Sequence, residues 1–571
     1  MRNCCELKTD VLVVGGGPAG FWSALSAKEH VDDVLIVDKG PLDWGGVGFL
    51  SAGDFFALDP QTDIDELLKE LVYYYDGLCD QDMVADIVRA SRERFIDYEN
   101  MGHEFVRDPD GNYMRMPQRG LEHYRLYQSK PYGKGGVTFT RELVARLDQC
   151  GIRRLGHIMV TDIVTTPGGD VCGATGFFTK SGRPVNITAS AVVLCTNNGS
   201  WKCSYHANTI ANGVVEMALD AGVPLRNFEF FHVWNLPLQF TWEGQTGLLP
   251  KGGKFLNAQG EDFMRRYSPR YGAKGDPHYN VRGMAHEVLE GRGPIFFDPS
   301  GMSDEDKEIM RPKAGWMKLN DEKLKALGID FFHQKTVWIP QIVHSYGGME
   351  VGKGYATCRP GLFGAGRTVS IDPGVYLGGW SLCVCAVTGH DAGHSAGAYA
   401  KEHPRPSFDA AMAKALSEKR LCMLGREGIS PKDVVRELQE IMSPYDVCIL
   451  KTGRALCAAL EHLKTVRADM LPRMAAADPQ QLCKAVEAQG ITDLTEVSLL
   501  SALARKESRA GHYRADYPDR DAGGPYWICV TRENGVMRTQ KKRVPLERYP
   551  IQPSVYYMDQ FHFPRGDNAG A

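Results

Sequence analysis

The sequence has no excess of charge of one sign. Its 66 basic and 70 acidic side chains give a formal net charge of -4, so no overall field favours nucleic acid or an anionic membrane. There is no apolar run near the roughly 20 residues of a membrane helix. The N-terminus, MRNCCELKTD, lacks the apolar region of a signal peptide. We therefore expect small molecules and proteins as partners, no nucleic acid, no membrane span and a cytoplasmic location.

Closely spaced cysteines are also missing. The sequence has 15 cysteines, but none form a Cys-x-x-Cys pair, and the nearest neighbours are Cys4-Cys5 and Cys383-Val384-Cys385. Iron–sulfur clusters and zinc ribbons need several cysteines at short spacing. We therefore expect no metal site within this chain and mostly reduced core thiols.

Glycine, by contrast, is abundant, with 62 residues in a chain of 571. A chain of this length exceeds what one hydrophobic core supports, so we expect two or three lobes. The glycine excess indicates backbone packed closely against a cofactor.

A dinucleotide-binding fingerprint occupies the N-terminal segment. A short apolar strand precedes Gly15-x-Gly17-x-x-Gly20, which opens a helix. These glycines suit a tight turn, close approach of backbone to a pyrophosphate, and contact between helix and strand. Asp38 ends the second strand, where a carboxylate can accept hydrogen bonds from a ribose diol. The pattern fits FAD and a nicotinamide cofactor equally.

Four segments carry a family resemblance: residues 11–20 together with 34–40, 191–199, 359–367, and 507–521, which read ESRAGHYRADYPDRD. They resemble the flavoprotein subunits of succinate dehydrogenase and fumarate reductase, whose superfamily includes L-aspartate oxidase and the adenylylsulfate reductase alpha subunit. The sequence of residues 290–298 resembles the adenylylsulfate reductase branch more closely than succinate dehydrogenase. The resemblance implies bound FAD, redox chemistry at the flavin N5, and a hetero-oligomer in which the partner is a ferredoxin-like iron–sulfur subunit.

The resemblance and the pattern along the chain together predict an α/β fold class. A Rossmann-like FAD-binding domain takes residues 1–229 and 346–405, with an inserted α+β cap domain at 230–345. Apolar residues at spacings of three and four predict a helical domain over 406–520. A short strand-rich C-terminal segment, 521–571, follows.

Two departures from the family bear on the chemistry. Members that attach FAD covalently carry a histidine in the glycine-rich segment, and residues 40–54 contain none, so we expect non-covalent FAD. The two substrate arginines of the family correspond here to Pro277-His278 and Tyr376. Desolvating two carboxylates without cationic partners is costly. We therefore expect that fumarate and succinate are not substrates.

Three residues are the candidates for catalysis: His344, Tyr376 and Arg282. His344 resembles the family's substrate-side histidine, with one residue fewer before the glycines; the alternative is a core histidine with satisfied hydrogen bonds. Tyr376 either donates a phenolic proton or packs in the core. Arg282 begins a helix near the family's catalytic segment and is either an active-site cation or a structural ion pair. His286, four residues on, shares its helix face.

A larger set of residues is expected to line FAD. Arg367 belongs to it, although the family commonly has glutamate there. Trp234 and Trp380 could stack on flavin or substrate, or pack in the core. The expected cofactor residues are Gly15, Gly17, Pro18, Ala19, Gly20, Asp38, Lys39, Gly46, Ser51, Gly53, Asn197, Gly199, Gly366, Arg367 and Leu377.

Three functions remain open. The first is a flavoprotein reductase or dehydrogenase that passes a hydride between FAD and a small organic substrate. The second is an adenylylsulfate-reductase-like enzyme acting on a nucleotide, and the third is a non-catalytic electron-transfer subunit. Because there is no second fingerprint for NAD(P)H, electrons must be exchanged with a partner. The basic strip of Arg538, Lys541, Lys542, Arg543 and Arg548 either docks that partner or is a solvated face.

Overall fold

The computed structural model describes residues 4–44, 46–118, 120–130, 135–204, 210, 213–240, 242, 245–312 and 315–564. Residues 565–571 of the expected C-terminal segment lie outside the described residues. Within the described ranges, no helix is both long and apolar enough to traverse a bilayer.

The N-terminal third builds a sheet with helices on its faces. The first strand ends in a run of buried Val and Leu, as expected for a strand covered on both faces. The elements are β1 (Cys5–Val14), α1 (Pro18–Ala27), β2 (Val34–Val37), β3 (Asp54–Phe56), α2 (Ile64–Tyr74), α3 (Gln81–Asn100), β4 (Arg115–Pro117), β5 (Arg125–Gln128), α4 (Gly135–Gln149), β6 (Arg153–Leu155), β7 (Ile158–Thr165), β8 (Val171–Phe178) and β9 (Pro184–Leu194).

The middle of the chain forms a smaller α+β unit. Its elements are α5 (Val215–Asp220), β10 (Leu225–Arg226), β11 (Phe231–Pro237), α6 (Gln245–Leu248), β12 (Lys254–Leu256), α7 (Met264–Tyr267), α8 (Pro277–Leu289), β13 (Ile295–Asp298), α9 (Asp304–Met310), α10 (Gly315–Ala326), β14 (Thr336–Ser345) and β15 (Gly348–Met349). Helix α8 begins where the sequence supplies both start signals. Asp276 caps it through a hydrogen bond from the His278 N–H, and Pro277 occupies the first turn.

The last third returns to the sheet and then becomes helical. Its elements are β16 (Leu362–Gly364), α11 (Trp380–Glu402), α12 (Ala410–Leu421), α13 (Pro431–Met442), α14 (Tyr445–Cys448), α15 (Gly453–Thr465), α16 (Pro479–Ala504), β17 (Tyr526–Glu533) and β18 (Val536–Arg543). The apolar spacing of Val434, Leu438 and Ile441 places all three on the buried face of α13.

The central sheet has seven strands, in the order β6-β2-β1-β9-β8-β7 with β16 also paired to β9. Strands β6, β2, β1, β9 and β16 are parallel to one another, whereas β8 pairs antiparallel with both β7 and β9. The carboxyl ends of β1, β2, β9 and β16 therefore meet at one edge. Ligands of open α/β sheets bind at this edge.

Three smaller sheets complete the molecule. The cap sheet runs β11-β14-β13-β12 with antiparallel pairing, and Phe255, Phe297 and Trp338 form part of its buried core. A second sheet, β15-β10-β17-β18, joins the ends of the cap to the C-terminal strands. The short sheet β3-β5-β4 shares one apolar core with helices α1, α3, α4 and α11.

Candidate active site

The turn after β1 has the contacts that its glycines require. Gly15 adopts φ +118°, and a Cβ at Gly20 would lie 1.9 Å from the carbonyl oxygen of Gly15. A Cβ at Gly17 would meet nothing within 4 Å. Pro18 and Ala19 form the first turn of α1. The turn is thus tight where α1 crosses β1 and open at the helix N-terminus, as pyrophosphate binding requires.

The glycine-rich segment lies against this turn. Gly46 adopts φ +80°, and its Cβ position is 3.6 Å from the Cα of Gly17. A Cβ at Gly53 would lie 2.3 Å from the Cα of Gly135, at the start of α4. Ser51 accepts a hydrogen bond at its carbonyl from the Gly136 N–H at 3.1 Å. The predicted residues Gly46, Ser51 and Gly53 therefore stand together beside the fingerprint.

Buried polar atoms beside the fingerprint have no hydrogen-bond partner among the described residues. They are the Ser51 Oγ, the Thr196 Oγ1 and both side-chain polar atoms of Asn198. Asn197 and Gly199 hold the chain after β9 in positive φ, at 69° and 95°. Because buried polar groups are costly without a partner, these atoms fit a dinucleotide that brings its own donors and acceptors. Thr196 and Asn198 were missed by the sequence analysis.

Asp38 and Lys39 extend the cradle beyond β2 in different ways. The Asp38 carboxylate accepts hydrogen bonds from the Gly16 N–H at 2.8 Å and the Gly40 N–H at 2.7 Å, which fixes it next to the turn. The Lys39 ammonium instead lies 2.6 Å from a carboxylate oxygen of Glu487 on α16. Asp38 is thus placed to bind a ribose, whereas Lys39 joins the sheet to the helical domain.

The segment before α11 closes the other side of the cradle. A Cβ at Gly366 would lie 2.8 Å from the Cβ of Ala19 on α1. Arg367 is paired with the buried Asp372, which also accepts a hydrogen bond from the Trp380 Nε1 at 2.8 Å. The predicted residues Gly366 and Arg367 therefore sit beside α1, and the indole of Trp380 is held by a carboxylate.

A group of stacked and edge-on rings lies where the cap meets the sheet domain. His232 on β11 stands directly opposite His344 on β14, and their rings stack with centroids 4.7 Å apart. The other stacked neighbour of His232 is Trp234, at 5.1 Å. The Tyr346 hydroxyl lies 2.7 Å from the His232 Nδ1, and burial raises the pKa of Tyr346. We call this group the ring cluster: His232, Trp234, His278, His344, Tyr346 and Tyr376.

Tyr376 approaches the ring cluster from the sheet domain. Its ring meets Trp234 edge-on at 4.9 Å. Its backbone is held from both sides, since its N–H donates to Asp276 at 3.2 Å and its carbonyl accepts from the Tyr74 hydroxyl at 2.8 Å. The next residue, Leu377, is buried. The structure thus brings the predicted His344 and Tyr376 into one cluster.

His278 completes the ring cluster from α8. Its ring lies 5.1 Å from His232, and its Nδ1 donates to the Asp276 carboxylate at 2.9 Å. Asp276 also accepts from the Tyr74 hydroxyl. Burial raises the pKa of Asp276, but the charge of His278 and the hydrogen bonds that the carboxylate receives outweigh this and hold the pKa below its usual 3.8. The helix cap is therefore an ionised carboxylate at the site.

Arg282 contacts a different region. Its guanidinium donates to the Ala510 carbonyl at 2.5 Å and lies over the rings of Tyr279 at 4.5 Å and Tyr513 at 5.3 Å. His286, one turn further along α8, stacks on Tyr267. These contacts hold α8 to the segment after the helical domain, but they include no ion pair, and the Arg282 Nη1 is buried with no hydrogen-bond partner among the described residues. The role of Arg282 stays a prediction.

The sequence pointed to Trp234, His344, Tyr376 and the Pro277-His278 position, but not to His232 or Tyr346. His232 and Trp234 alternate on one face of a strand, which was the available signal, but only the cross-strand register pairs His232 with His344. Asp276 looks like an ordinary helix cap in sequence. Its second role appears only because Tyr376, 100 residues on, packs against it.

Similarity to known proteins covers nearly the whole chain. The family described as FAD binding domain matches residues 10–382, and that described as Fumarate reductase flavoprotein C-term matches residues 435–556. One subunit of the fumarate reductase (CoM/CoB) of Methanothermobacter marburgensis is 28% identical over 536 residues, which cover 89% of this chain and 94% of that protein. The fumarate reductase flavoprotein subunit of Mycobacterium tuberculosis is 26% identical, covering 96% and 99%.

Solved structures share the fold. FrdA of E. coli quinol fumarate reductase superposes with a TM-score of 0.87 at 22% identity, over 97% of this chain and 99% of that chain. Adenylylsulfate reductase of Archaeoglobus fulgidus has a TM-score of 0.81 at 18% identity, over 95% and 97%. The expected closeness to the adenylylsulfate reductase branch therefore reduces to a shared fold. The fold class expected from the sequence, a Rossmann-like FAD-binding domain with a cap and a helical domain, is confirmed, and the chain belongs to the succinate dehydrogenase/fumarate reductase flavoprotein family.

Proposed function

We propose that this FAD-dependent oxidoreductase passes a hydride between the flavin N5 and a small organic substrate that carries at most one negative charge. When bound, FAD supplies the two-electron chemistry, and the protein supplies binding, orientation and protons. The observation that carries the proposal is the ring cluster, which lines the junction of cap and sheet domain with imidazoles and phenols.

The charges around the ring cluster oppose a dicarboxylate. Among the described residues, the guanidinium in contact with it is that of Arg367, 4.7 Å from the centre of the Tyr346 ring, and this cation is already paired with Asp372. Asp276 adds a second buried carboxylate. A substrate with two carboxylates needs bidentate cations to replace its hydration. The same argument opposes a nucleotide with phosphate and sulfate groups.

The polar groups of the ring cluster suit a carbonyl or a single acid group. Tyr376 stands where the family places an arginine, and its phenol is a neutral donor. The Nδ1 of His344 donates to the carbonyl oxygen of Ser345 at 2.5 Å, which fixes the orientation of the ring. We therefore assign His344 and Tyr376 as polar contacts of the substrate.

The cofactor in this proposal is FAD held without a covalent bond. The open turn at Gly17, the Asp38 carboxylate and the polar atoms of Ser51, Thr196 and Asn198 support the binding of a dinucleotide. Residues 40–54 contain no histidine for attachment.

The proposed electron partner is a ferredoxin-like iron–sulfur subunit. The support is that both relatives described above are themselves single subunits of fumarate reductases. The basic strip is a weaker candidate for docking than the sequence suggested. Acidic groups neutralise much of it: Arg538 pairs with Glu533, Lys541 with Asp521, Lys542 with Glu350 and Arg548 with Asp82.

An anaerobic acceptor screen tests the proposal. The FAD-loaded protein is photoreduced and mixed with 2-cyclohexen-1-one, crotonate, fumarate or adenylylsulfate, and flavin reoxidation is followed by absorbance. We expect reoxidation by an uncharged or singly charged acceptor and none by fumarate. Fast reoxidation by fumarate would show that the charge argument is wrong.

Two variants test the assigned contacts. His344→Phe and Tyr376→Phe should each slow reoxidation about five- to ten-fold, since a hydrogen bond contributes about 1 kcal/mol or somewhat more and about 1.4 kcal/mol is a factor of ten. His333→Phe, an exposed histidine of the cap, is the matched control. Rates equal to the control would remove both residues from the site.

A further inference from the structure

We propose, resting on the function above, that His278 exchanges a proton with the substrate and that Asp276 positions it for this purpose. The imidazole belongs to Pro277-His278, one of the two positions where the family resemblance places a substrate arginine. A buried carboxylate holds one of its ring nitrogens, and the other nitrogen has no partner among the described residues.

The Asp276 carboxylate is held firmly by four hydrogen bonds. One oxygen accepts hydrogen bonds from the His278 N–H at 2.8 Å and from the His278 Nδ1 at 2.9 Å. The other oxygen accepts from the Tyr74 hydroxyl and from the Tyr376 N–H at 3.2 Å. Helix α8, helix α2 and the segment before α11 thus fix one carboxylate. The ring it holds has little freedom to rotate.

The contact with Asp276 fixes the tautomer of the His278 ring. An ionised carboxylate accepts hydrogen bonds and cannot donate one, so the His278 Nδ1 must carry a proton. The neutral ring then has a lone pair at Nε2, and the charged ring has a proton there. Nε2 is a base in one state and an acid in the other.

The His278 Nε2 lies in a buried environment. His278 is 3% exposed, and its Nε2 is buried with no hydrogen-bond partner in the part of the chain that the structure describes. The ring lies edge-on to His232 at 5.1 Å and near Tyr346 at 5.7 Å. A substrate in the ring cluster would supply the missing partner. Among the described residues, the titratable groups that contact the His278 ring are Asp276 on α8, His232 on β11 and Tyr346 just after β14. Tyr74 on α2, Tyr557 near the C-terminus and the Tyr376 N–H contact Asp276, and His344 and Arg367 contact Tyr346.

The chemistry balances in both directions. In reduction, one carbon of a substrate double bond accepts a hydride from reduced FAD and its neighbour accepts the Nε2 proton of charged His278. The carbon–carbon π bond breaks, two C–H bonds form, and His278 becomes neutral. In oxidation, neutral Nε2 removes the proton while the hydride leaves to oxidised FAD. Asp276 stays ionised throughout and stabilises the charged ring.

Two other described histidines have only part of this arrangement. His512 and His286 also bury an Nε2 with no partner among the described residues, but neither ring nitrogen contacts a carboxylate in the hydrogen bonds shown. Burial lowers the pKa of both imidazoles, which keeps them neutral near pH 7. His286 lies on the same helix as His278 and is therefore the matched control.

Ring-¹⁵N nuclear magnetic resonance of histidine-labelled protein tests the proposal without turnover. The signal lost in His278→Asn identifies the residue. We expect a protonated Nδ1 and, in the neutral ring, a bare Nε2 in wild type, and loss of this preference in Asp276→Asn. A neutral His278 protonated at Nε2 in wild type would overturn the proposal.

Kinetics provide the second measurement. With an acceptor that reoxidises the reduced protein, His278→Asn should be slower by about 100-fold or more, and His286→Asn should match wild type. Asp276→Asn should move the pH–rate profile to lower pH, because the charged ring loses the carboxylate that stabilises it. An unchanged rate in His278→Asn, or an unmoved profile in Asp276→Asn, would refute the assignment even if both variants bind FAD normally. If no acceptor reoxidises wild type, the proposed function fails, whereas the tautomer measurement still decides the role of Asp276.

Discussion

Glu487 should be one of the most costly carboxylates in the protein to neutralise. It is 8% exposed on α16 and lies 2.6 Å from the Lys39 ammonium and 2.8 Å from the Lys202 ammonium. Burial alone would raise its pKa, but the charges of the two lysines and their hydrogen bonds lower it from 4.5 to about 2. The carboxylate thus joins the helical domain to two loops of the sheet domain.

The shift sets the size of the expected effect. A folded pKa about 2.5 units below 4.5 corresponds to about 3 kcal/mol of stability at 1.36 kcal/mol per unit. Because the folded pKa is the lower one, this stability is fully present above pH 4.5 and is lost as pH falls towards 2. Glu487→Gln removes it at neutral pH and leaves two buried or half-buried lysines without their counter-charge.

Urea denaturation followed by tryptophan fluorescence measures this effect. Glu487→Gln should lose about 3 kcal/mol at pH 7, and its difference from wild type should shrink as the pH is lowered from 5. Glu461→Gln is the matched control, because Glu461 pairs with Lys464 on an exposed helix face, where such pairs contribute about 0–1 kcal/mol. A Glu487→Gln loss no larger than the control's, or a difference that stays constant with pH, would refute the reasoning.

Three further predictions concern the cofactor cradle. Gly20→Ala places a methyl group 1.9 Å from a backbone carbonyl oxygen and should both destabilise the protein and abolish FAD binding. Gly17→Ala, whose methyl group would meet nothing within 4 Å, should fold normally and lose FAD affinity. The ratio of flavin to protein absorbance measures the FAD content of each variant. Asp372→Asn leaves the buried Arg367 without its carboxylate and should cost about 3–5 kcal/mol in urea denaturation; a loss below about 1 kcal/mol would contradict the buried ion pair. Acid precipitation should release the flavin into the supernatant, because residues 40–54 hold no attachment histidine, and a yellow pellet would contradict this.

The sheet domain was the most predictable part of the molecule from sequence. Its strands are continuous apolar runs and its turn needs glycines, so local chemistry determines both. The pairing of β10 with β17 was not predictable, because the two strands are about 300 residues apart in sequence and no turn connects them. Sequence pattern carries little information on such long-range pairing.

The site was predictable where one residue type replaces another at a recognised position. Tyr376 was found in this way, whereas His344 was found because it resembles a histidine of the family, and both lie in the ring cluster. His232 depends on cross-strand register, and Asp276 depends on a contact with the segment before α11. Lys39 follows Asp38 in sequence, but its ammonium forms an ion pair with the Glu487 carboxylate and does not point to the cofactor turn through any contact shown. Tertiary contacts, rather than local pattern, decide each of these cases.

The sheet β15-β10-β17-β18 has a consequence for how the cap can vary. The chain enters the cap just after β10 and leaves it just before β15, and these two strands pair with each other, Leu225 with Met349 and Arg226 with Gly348. The insertion therefore begins and ends at adjacent residues of two paired strands. A residue inserted into an outer loop between 227 and 347 does not have to break the pairing of β10 with β15. The cap can change in length at those loops while its two ends stay fixed at adjacent residues.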